Sequence, residues 1–272
     1  MVRAGLALLL VAPIAVGQAP PAAPAAQPQP QQQPMNPVLW QHLQAWEKVM
    51  GGASNFVSEK GSKTEFEQAK NFTKTFEATI WCLKPNLARM RLDRLPLANQ
   101  KPDPSDFETY ICDGKAVFQY EGLTRTVTQY PLGPGGGVGD NLLLEFMSGS
   151  ITARQAAQRF SIEWDKPNDP TYLYLILTPL LDKDKAEFET LTLVLVRPGL
   201  PGVAGAQAYL PRVARLVKPK AQVIETWDFP NPMVNAVGPN GAPIGAGQFQ
   251  FVQPGQGWKV VNAAAKPPAP RR

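Results

Sequence analysis

The chain has 272 residues and a formal net charge of +5, from 27 lysines and arginines against 22 aspartates and glutamates. This mild excess includes no run of five basic residues, which argues against a nucleic-acid-binding protein and allows weak attraction to an anionic membrane surface. Hydrophobic residues make up 44% and charged residues 18%, a composition typical of a globular protein and not of a disordered one.

Residues 1–17 have the pattern of a secretory signal peptide. Arg3 supplies the positive charge, residues 4–16 are apolar, and Ala15 and Gly17 place small residues before the predicted cleavage point. The apolar stretch is too short to span a bilayer comfortably, which disfavours the alternative of a membrane anchor. We therefore predict cleavage after Gly17 and an exported protein that is soluble once the signal is removed.

Two low-complexity stretches flank the predicted domain. Residues 18–36 consist almost entirely of Ala, Pro and Gln and predict an extended linker, and residues 263–272 predict a disordered tail. The stretch between them, residues 37–262, has the length of one large domain.

The domain opens with a predicted helix. Asn36 is a good N-cap, Pro37 suits the first helical position, and Gly51 ends the pattern. His42, the only histidine, lies beside the apolar stripe, so packing or solvent exposure is favoured over catalysis. The stripe has helical spacing and consists of Leu39, Leu43, Trp46 and Met50.

The remainder of the domain is dominated by strand patterns. The alternation is clearest in residues 87–95, where Ala88, Met90 and Leu92 point to one face. Two short helices interrupt the series at residues 140–147 and 152–159, after a glycine-rich hinge at residues 133–139. The predicted strands are residues 72–83, 87–95, 107–112, 116–121, 124–130, 160–165, 172–178, 190–197, 209–217, 222–229 and 249–251.

Successive strands joined by short turns favour a meandering antiparallel sheet. With so few helices, the apolar face must be buried by curling of the sheet, so we predict a mainly β (α+β) fold. The expected architecture is a curved antiparallel half-barrel of about eleven strands, with an N-terminal helix and short lid helices.

Large apolar side chains recur on the predicted inner face of this half-barrel. A filled core is the simple interpretation for each of them alone. As a set they indicate an apolar ligand-binding cavity, because a half-barrel offers more inner surface than a few short helices can fill. The predicted cavity residues are Trp46, Phe76, Ile80, Met90, Phe118, Tyr120, Phe146, Leu175 and Leu177.

The sequence lacks the patterns of catalytic and metal-binding sites. One histidine allows neither an HExxH zinc motif nor a Cys/His cluster, and there is no GxSxG nucleophile elbow. Asp182 and Asp184 alternate with lysines and are interpreted as a solvated turn. We therefore predict no catalytic residue, no metal and no cofactor. Cys82 and Cys112 lie near strand ends, and either one disulfide or two buried thiols fits an exported chain.

Four short motifs follow one another in the predicted domain. They are Lys84-Pro85-Asn86 between two strands, Asp113-Gly114-Lys115 before an aromatic strand, Leu177-Thr178-Pro179 at a strand end, and Phe249-Gln250-Phe251 shortly before Pro254. In this order the motifs resemble the outer-membrane lipoprotein carrier family, the LolA-like periplasmic chaperones, over about residues 37–262.

The resemblance implies a periplasmic carrier that binds lipid or lipoprotein acyl chains and exchanges them with membrane-bound donor and acceptor proteins. It also implies that Lys84 contacts the helical lid, around residues 140–147, where the family has an arginine. Lysine lacks the planar fork of arginine, and the loops at residues 96–106 and 231–247 are long, which indicates a divergent member. We expect a monomer, and the cargo need not be a lipoprotein.

Two other functions fit the same fold. One is an envelope sensor or adaptor that binds lipoprotein or a partner protein, and the other is a structural envelope protein with a filled core. Lipid that remains bound through purification would separate the carrier from the structural protein.

Overall fold

The computed structural model of the chain describes residues 35–132, 142–199, 207–238 and 241–263. Within these ranges the chain forms one curved, open sheet of thirteen strands and four α-helices. The predicted signal peptide, the glycine-rich hinge, and most of the predicted linker and tail lie outside the described residues. The expectation of a mainly β half-barrel is confirmed, with thirteen strands in place of about eleven.

The helices are α1 (Pro37–Gly52), α2 (Leu142–Ser148), α3 (Ala153–Arg159) and α4 (Asp182–Lys185). The strands are β1 (Asn55–Glu67), β2 (Phe72–Leu83), β3 (Leu87–Arg94), β4 (Phe107–Cys112), β5 (Ala116–Glu121), β6 (Thr126–Pro131), β7 (Phe160–Asp165), β8 (Tyr172–Pro179), β9 (Thr190–Val196), β10 (Pro211–Val217), β11 (Val223–Asp228), β12 (Met233–Val234) and β13 (Lys259–Asn262).

Strand β1 occupies the centre of the sheet. The strand order is β13-β6-β5-β4-β3-β2-β1-β11-β10-β9-β8-β7, and β12 also pairs with β1. The pairs are antiparallel except for β13 and β6, which run parallel. Strand β1 therefore joins two meanders, one formed by β2 to β6 and the other by β7 to β11.

Sequence reasoning missed β1, although it is the longest strand, with 13 residues. Its pairing with β2 is interrupted by a bulge between Ser58 and Gly61, which breaks the alternation. Beyond the bulge its buried positions include Lys63 and Glu65, so the strand lacks the apolar side chains that usually identify a buried face.

Two local predictions were wrong. Residues 249–251 do not form a strand, because Phe249 ends a 3-10 helix (Ala246–Phe249) and packs with Phe251 against the sheet. The expected solvated turn at Asp182 and Asp184 is helix α4, and Asp184 is buried in it. In both places side chains contact other elements in a way that local spacing does not encode.

Helices α1, α2 and α3 cover one side of the sheet, which we call the inner face and which includes Ala78, Ile80, Met90 and Leu92. The side chain of Asn36 caps α1 by accepting a hydrogen bond from the Val38 amide at 2.9 Å. The stripe predicted on α1 is confirmed, because its four residues are the buried ones of that helix: Leu39, Leu43, Trp46 and Met50.

The C-terminal part of the chain covers the opposite side, which we call the outer face and which includes Ile111, Phe118, Tyr120 and Val127. Phe251 lies 4.8 Å from the ring of Phe118, measured between centroids. The hydroxyl of Tyr120 donates to the carbonyl of Val252 at 2.8 Å and accepts from its amide at 3.0 Å. This segment therefore shields the two aromatic side chains of β5, Phe118 and Tyr120, from water.

The predicted placement of Phe118 and Tyr120 on the inner face is therefore wrong. Strand β5 turns Val117 toward the inner cluster and packs Phe118 and Tyr120 into the outer one. Because β5 carries apolar residues on both faces, its alternation does not tell which face meets the helices.

The two cysteines flank Ala88 on the inner face. Cys82 of β2 and Cys112 of β4 are each in register with Ala88 of β3, so one strand separates them. Both are buried and are free thiols. Burial raises the pKa of Cys82 to about 12 and also raises the pKa of Cys112.

Removing the anchor of the C-terminal segment should destabilise the protein. Phe249 is 0% exposed, so Phe249→Ala should lower the free energy of unfolding by about 3–5 kcal/mol. Urea unfolding followed by tryptophan fluorescence measures this. The control is Val252→Ala, at a position 58% exposed, where a change within about 0.5 kcal/mol is expected. Equal midpoints for the two variants would contradict the packing described.

The thiols should be unreactive in the folded protein, since burial disfavours the thiolate that attacks a disulfide reagent. We expect Ellman's reagent at pH 8 to modify neither cysteine in buffer and both in denaturing urea without reductant. If no thiol reacts in urea, Cys82 and Cys112 are instead joined by a disulfide.

Candidate functional site

The residues predicted to line a cavity divide between the two faces. Phe118 and Tyr120 belong to the outer cluster. The other seven, all buried, lie together in the cluster between the sheet and the helices: Trp46, Phe76, Ile80, Met90, Phe146, Leu175 and Leu177. Their role in ligand binding stays a prediction.

Helices α2 and α3, which we call the lid, fill the inner face with their own side chains. The ring of Phe146 lies 5.5 Å from Trp46 of α1 and 6.2 Å from Phe160 of β7. The core residues of the lid and its connecting loop are Leu143, Phe146, Met147, Ile151, Ala153 and Ala156. An apolar ligand that reached Leu175 or Leu177 would have to take the place of these side chains.

A cluster of charged groups ties the lid to the rim of the sheet. Arg159 at the end of α3 donates to Glu145 of α2 at 2.6 Å, and to both oxygens of Asp184 of α4 at 2.8 and 3.1 Å. Burial raises the pKa of Glu145, and the Arg159 guanidinium opposes that shift. Charge-assisted, bidentate bonds of this kind are among the stronger hydrogen bonds in proteins.

Helix α1 provides the second attachment of the lid. Glu47 accepts a hydrogen bond at 3.0 Å from the amide of Ala153, at the start of α3. Gly149, between the two lid helices, lies against Met50 with φ +63°, and a Cβ there would be 2.4 Å from the Met50 carbonyl oxygen. Only glycine fits this contact without displacing the backbone of α1.

Lys84 binds the C-terminal end of α1. Its Nζ donates to the carbonyls of Met50 and Gly51 at 2.7 and 2.6 Å, and burial lowers its pKa. The last carbonyls of a helix have no partners within the helix and carry partial negative charge, which explains the attraction. Gly149, next to α2, packs on Met50, so Lys84 binds the helix end that this part of the lid contacts. The predicted direct contact of Lys84 with residues 140–147 stays a prediction.

Sequence reasoning missed a band of polar side chains on the inner face. Lys63 is ion-paired with Glu65, and its Nζ lies 5.8 Å from the ring centre of Phe76 and 5.1 Å from that of Trp227. The two residues alternate with Ser62 and Thr64, so the pattern resembled a solvent-exposed segment.

The band continues across β4 and β5. Tyr110 donates to Glu108 at 2.5 Å, and Gln119 donates to the Tyr110 hydroxyl at 3.2 Å. Burial raises the pKa of Tyr110, and nearby carboxylates, Glu65 included, raise it further. The inner face therefore combines an apolar area with a buried polar one.

His42 packs against aromatic rings, which is one of the two roles that the sequence left open. Its ring lies 5.2 Å from that of Trp164, and Nδ1 lies 3.2 Å from the Tyr209 hydroxyl. Burial, and then the charge of Arg197, lowers its pKa. Within the four described ranges, no group of three or more His, Cys, Asp or Glu side chains is placed to hold a metal ion. No helix in those ranges is both long and apolar enough to cross a membrane.

Solved structures with partial similarity to this chain come from several bacteria. An uncharacterised conserved protein from Thermus thermophilus is 11% identical, with a TM-score of 0.44 over 83% of this chain and 99% of its own. LprF from Mycobacterium bovis is 13% identical, with a TM-score of 0.41 over 78% and 96% of the two chains. A LolA superfamily protein from Nitrosomonas europaea is 8% identical, with a TM-score of 0.31 over 74% and 94%.

One of these proteins is a member of the LolA superfamily, which the four motifs of this chain resemble. No protein-family model and no curated protein matches the chain.

Substituting Lys84 should loosen the end of α1. Lys84→Met leaves the Met50 and Gly51 carbonyls without their donor and should lower the free energy of unfolding by roughly 1–2 kcal/mol. Lys70→Met is the control, because Lys70 forms an ion pair with Glu67 from a side chain that is 73% exposed. Urea unfolding of both variants provides the comparison, and equal losses would show that Lys84 makes no special contribution.

Proposed function

We propose that the chain is a periplasmic carrier that binds lipid or lipoprotein acyl chains on the inner face, in the space occupied by the lid side chains. The supporting observation is the way this face is closed. Two helices of 7 residues each close it: α2 inserts Leu143, Phe146 and Met147 between the sheet and α1, and α3 adds Ala153 and Ala156.

The lid is suited to displacement because its helices are short. Isolated helices below about 12–15 residues are marginal in water, so α2 and α3 depend on their contacts with the rest of the protein. An acyl chain can replace those contacts at about 0.8 kcal/mol for each buried CH₂ group. A chain of ordinary lipid length therefore competes with the lid for the same apolar surface.

Reversible exchange also needs a closed state that re-forms accurately. The bonds of Arg159 with Glu145 and Asp184, and the contact of Glu47 with α3, are specific enough to return the lid to one position. A carrier of this kind moves between a closed and a loaded state near equilibrium.

The chemistry of the inner face supports binding and not catalysis. The single histidine contacts the rings of Trp164 and Tyr209, and the two thiols are buried with raised pKa values, which disfavours the thiolate at neutral pH. We accordingly infer a non-enzymatic protein without cofactor.

Export, cleavage after Gly17 and the domain limits at residues 37 and 262 are parts of the same proposal. Membrane-bound donor and acceptor proteins would load and unload the carrier. If apolar probes fail to bind, the function moves to the alternative of an adaptor that recognises a partner protein.

Weakening the lid should strengthen acyl binding. Phe146→Ala removes about 3 kcal/mol of packing from the closed state, and we expect the affinity for 1-N-phenylnaphthylamine to rise roughly tenfold or more. Fluorescence titration gives the affinity, and native mass spectrometry shows whether lipid is bound after gentle purification.

The matched control is Phe249→Ala, which removes an equally buried ring on the outer face. It should destabilise the protein without changing probe affinity. An equal increase in probe affinity in both variants would indicate a general loosening of the fold. If the affinity does not rise in Phe146→Ala, the lid and the ligand do not compete.

A further inference from the structure

We propose that Ser58 and Trp227, which lie on the inner face near Lys63, form a polar subsite that hydrogen-bonds the ester carbonyl oxygen of an acylated lipid. The inference rests on the proposed function and specifies which part of an amphiphile the inner face recognises.

The first observation is a pair of buried donors without partners. The Ser58 hydroxyl and the Trp227 indole N–H make no hydrogen bond to any part of the chain that the structure describes. Ser58 is 1% exposed and Trp227 is 3% exposed. Leaving such a group buried and unpaired costs about 1–3 kcal/mol, so both positions require an explanation.

The second observation is their placement. On β1, Ser58 faces Ile80, Gly61 faces Ala78, and Lys63 faces Phe76. These are successive inner positions of the strand, and Gly61 adds no side chain between Ser58 and Lys63.

Strand β11 completes the group. Trp227 is in register with Lys63, and the ring of Trp227 lies 5.1 Å from the Lys63 ammonium. Both unpaired groups therefore lie on the same face of the sheet, with Trp227 beside the buried cation and the Ser58 hydroxyl next to Gly61.

The chemistry of these groups selects an acceptor. An indole N–H only donates and a serine hydroxyl can donate, so together they suit a ligand oxygen. The charges beside them are balanced, because Lys63 pairs with Glu65, and Glu225 lies 3.4 Å from Lys218. A carboxylate or phosphate would add an uncompensated buried charge, whereas a neutral carbonyl oxygen would not.

An ester carbonyl suits both the polar groups and the apolar area of the inner face. It is neutral, accepts two hydrogen bonds, and is attached directly to an acyl chain. The chain would extend toward the apolar strands β8 and β9, which follow β11 and β10 in the sheet.

The test compares probes that differ only in their polar end. Methyl palmitate, octadecane and palmitate displace 1-N-phenylnaphthylamine from the full chain and from its Ser58→Ala and Trp227→Phe variants at pH 8. In the parent protein, methyl palmitate should bind about tenfold more tightly than octadecane, the effect of one or two net hydrogen bonds. Either variant should reduce that ratio toward one and leave octadecane binding unchanged.

The outer face offers matched controls. Thr109 and Trp81 also carry buried polar atoms that lack partners among the described residues, but they lie away from the inner cluster. Thr109→Ala and Trp81→Phe should leave the ester preference intact. Ser58→Ala and Thr109→Ala should each raise the Tm by roughly 2–4 °C, since each removes an unpaired hydroxyl.

The outcomes separate this inference from the proposed function. If octadecane binds and methyl palmitate binds no better, or if the ester preference survives Ser58→Ala and Trp227→Phe, the subsite is refuted and the carrier stands. Tighter binding of palmitate than of its ester refutes the choice of a neutral group. If none of the three probes binds, the carrier function fails and the subsite fails with it.

Free glycerolipids and lipoproteins share the acyl ester. Dipalmitoylglycerol represents the first source and a dipalmitoylglyceryl-cysteine peptide the second. Both should lose affinity in Ser58→Ala, and the tighter of the two identifies the source that the carrier takes. If neither ligand loses affinity in Ser58→Ala, the assignment of an ester group is overturned.

Discussion

The apolar inner face of a curved, open sheet has to be kept from water, and among the described residues one helix of 16 residues and two of 7 cover it. Because the two edge strands, β7 and β13, do not meet, the sheet cannot enclose its own core as a closed barrel does. The stripe of α1 supplies part of the cover, and the side chains of α2 and α3 supply the rest. Fold stability and access to the inner face therefore depend on the same set of contacts.

Sequence patterns predicted the elements whose two faces differ clearly. In the stripe of α1 and in the alternation of Ala88, Met90 and Leu92, the spacing of apolar residues predicts which side chains are buried. Both predictions were correct. The pattern fails where both faces are buried. Phe118 and Tyr120 look like inner residues until the C-terminal segment is seen to cover the outer face, a long-range contact that no local spacing encodes.

Of the candidate site, the sequence predicted seven residues of the apolar cluster and none of the polar band. Trp46, Phe146 and Leu175 meet as expected, because large apolar residues on a single curved face converge. Lys63 and Glu65 were not predicted, since a charged pair in sequence normally indicates exposure and becomes buried here only by pairing within the sheet. The contact of Lys84 with α1 depends on where a helix ends in space, so the residue was predictable and its partner was not.

The central position of β1 also constrains how the chain folds. Ser62 pairs with Asp228, which is 166 residues later in the chain (228 − 62). The meander of β2 to β6 can form from neighbouring segments, but the two halves of the sheet join only when this distant pair closes. Folding dominated by such non-local contacts is slow, because the entropy of a long loop is lost before the contacts form. Until β11 docks on β1, one side of the central strand and its buried lysine stay open to solvent, so the half-sheet alone is the state most exposed to aggregation.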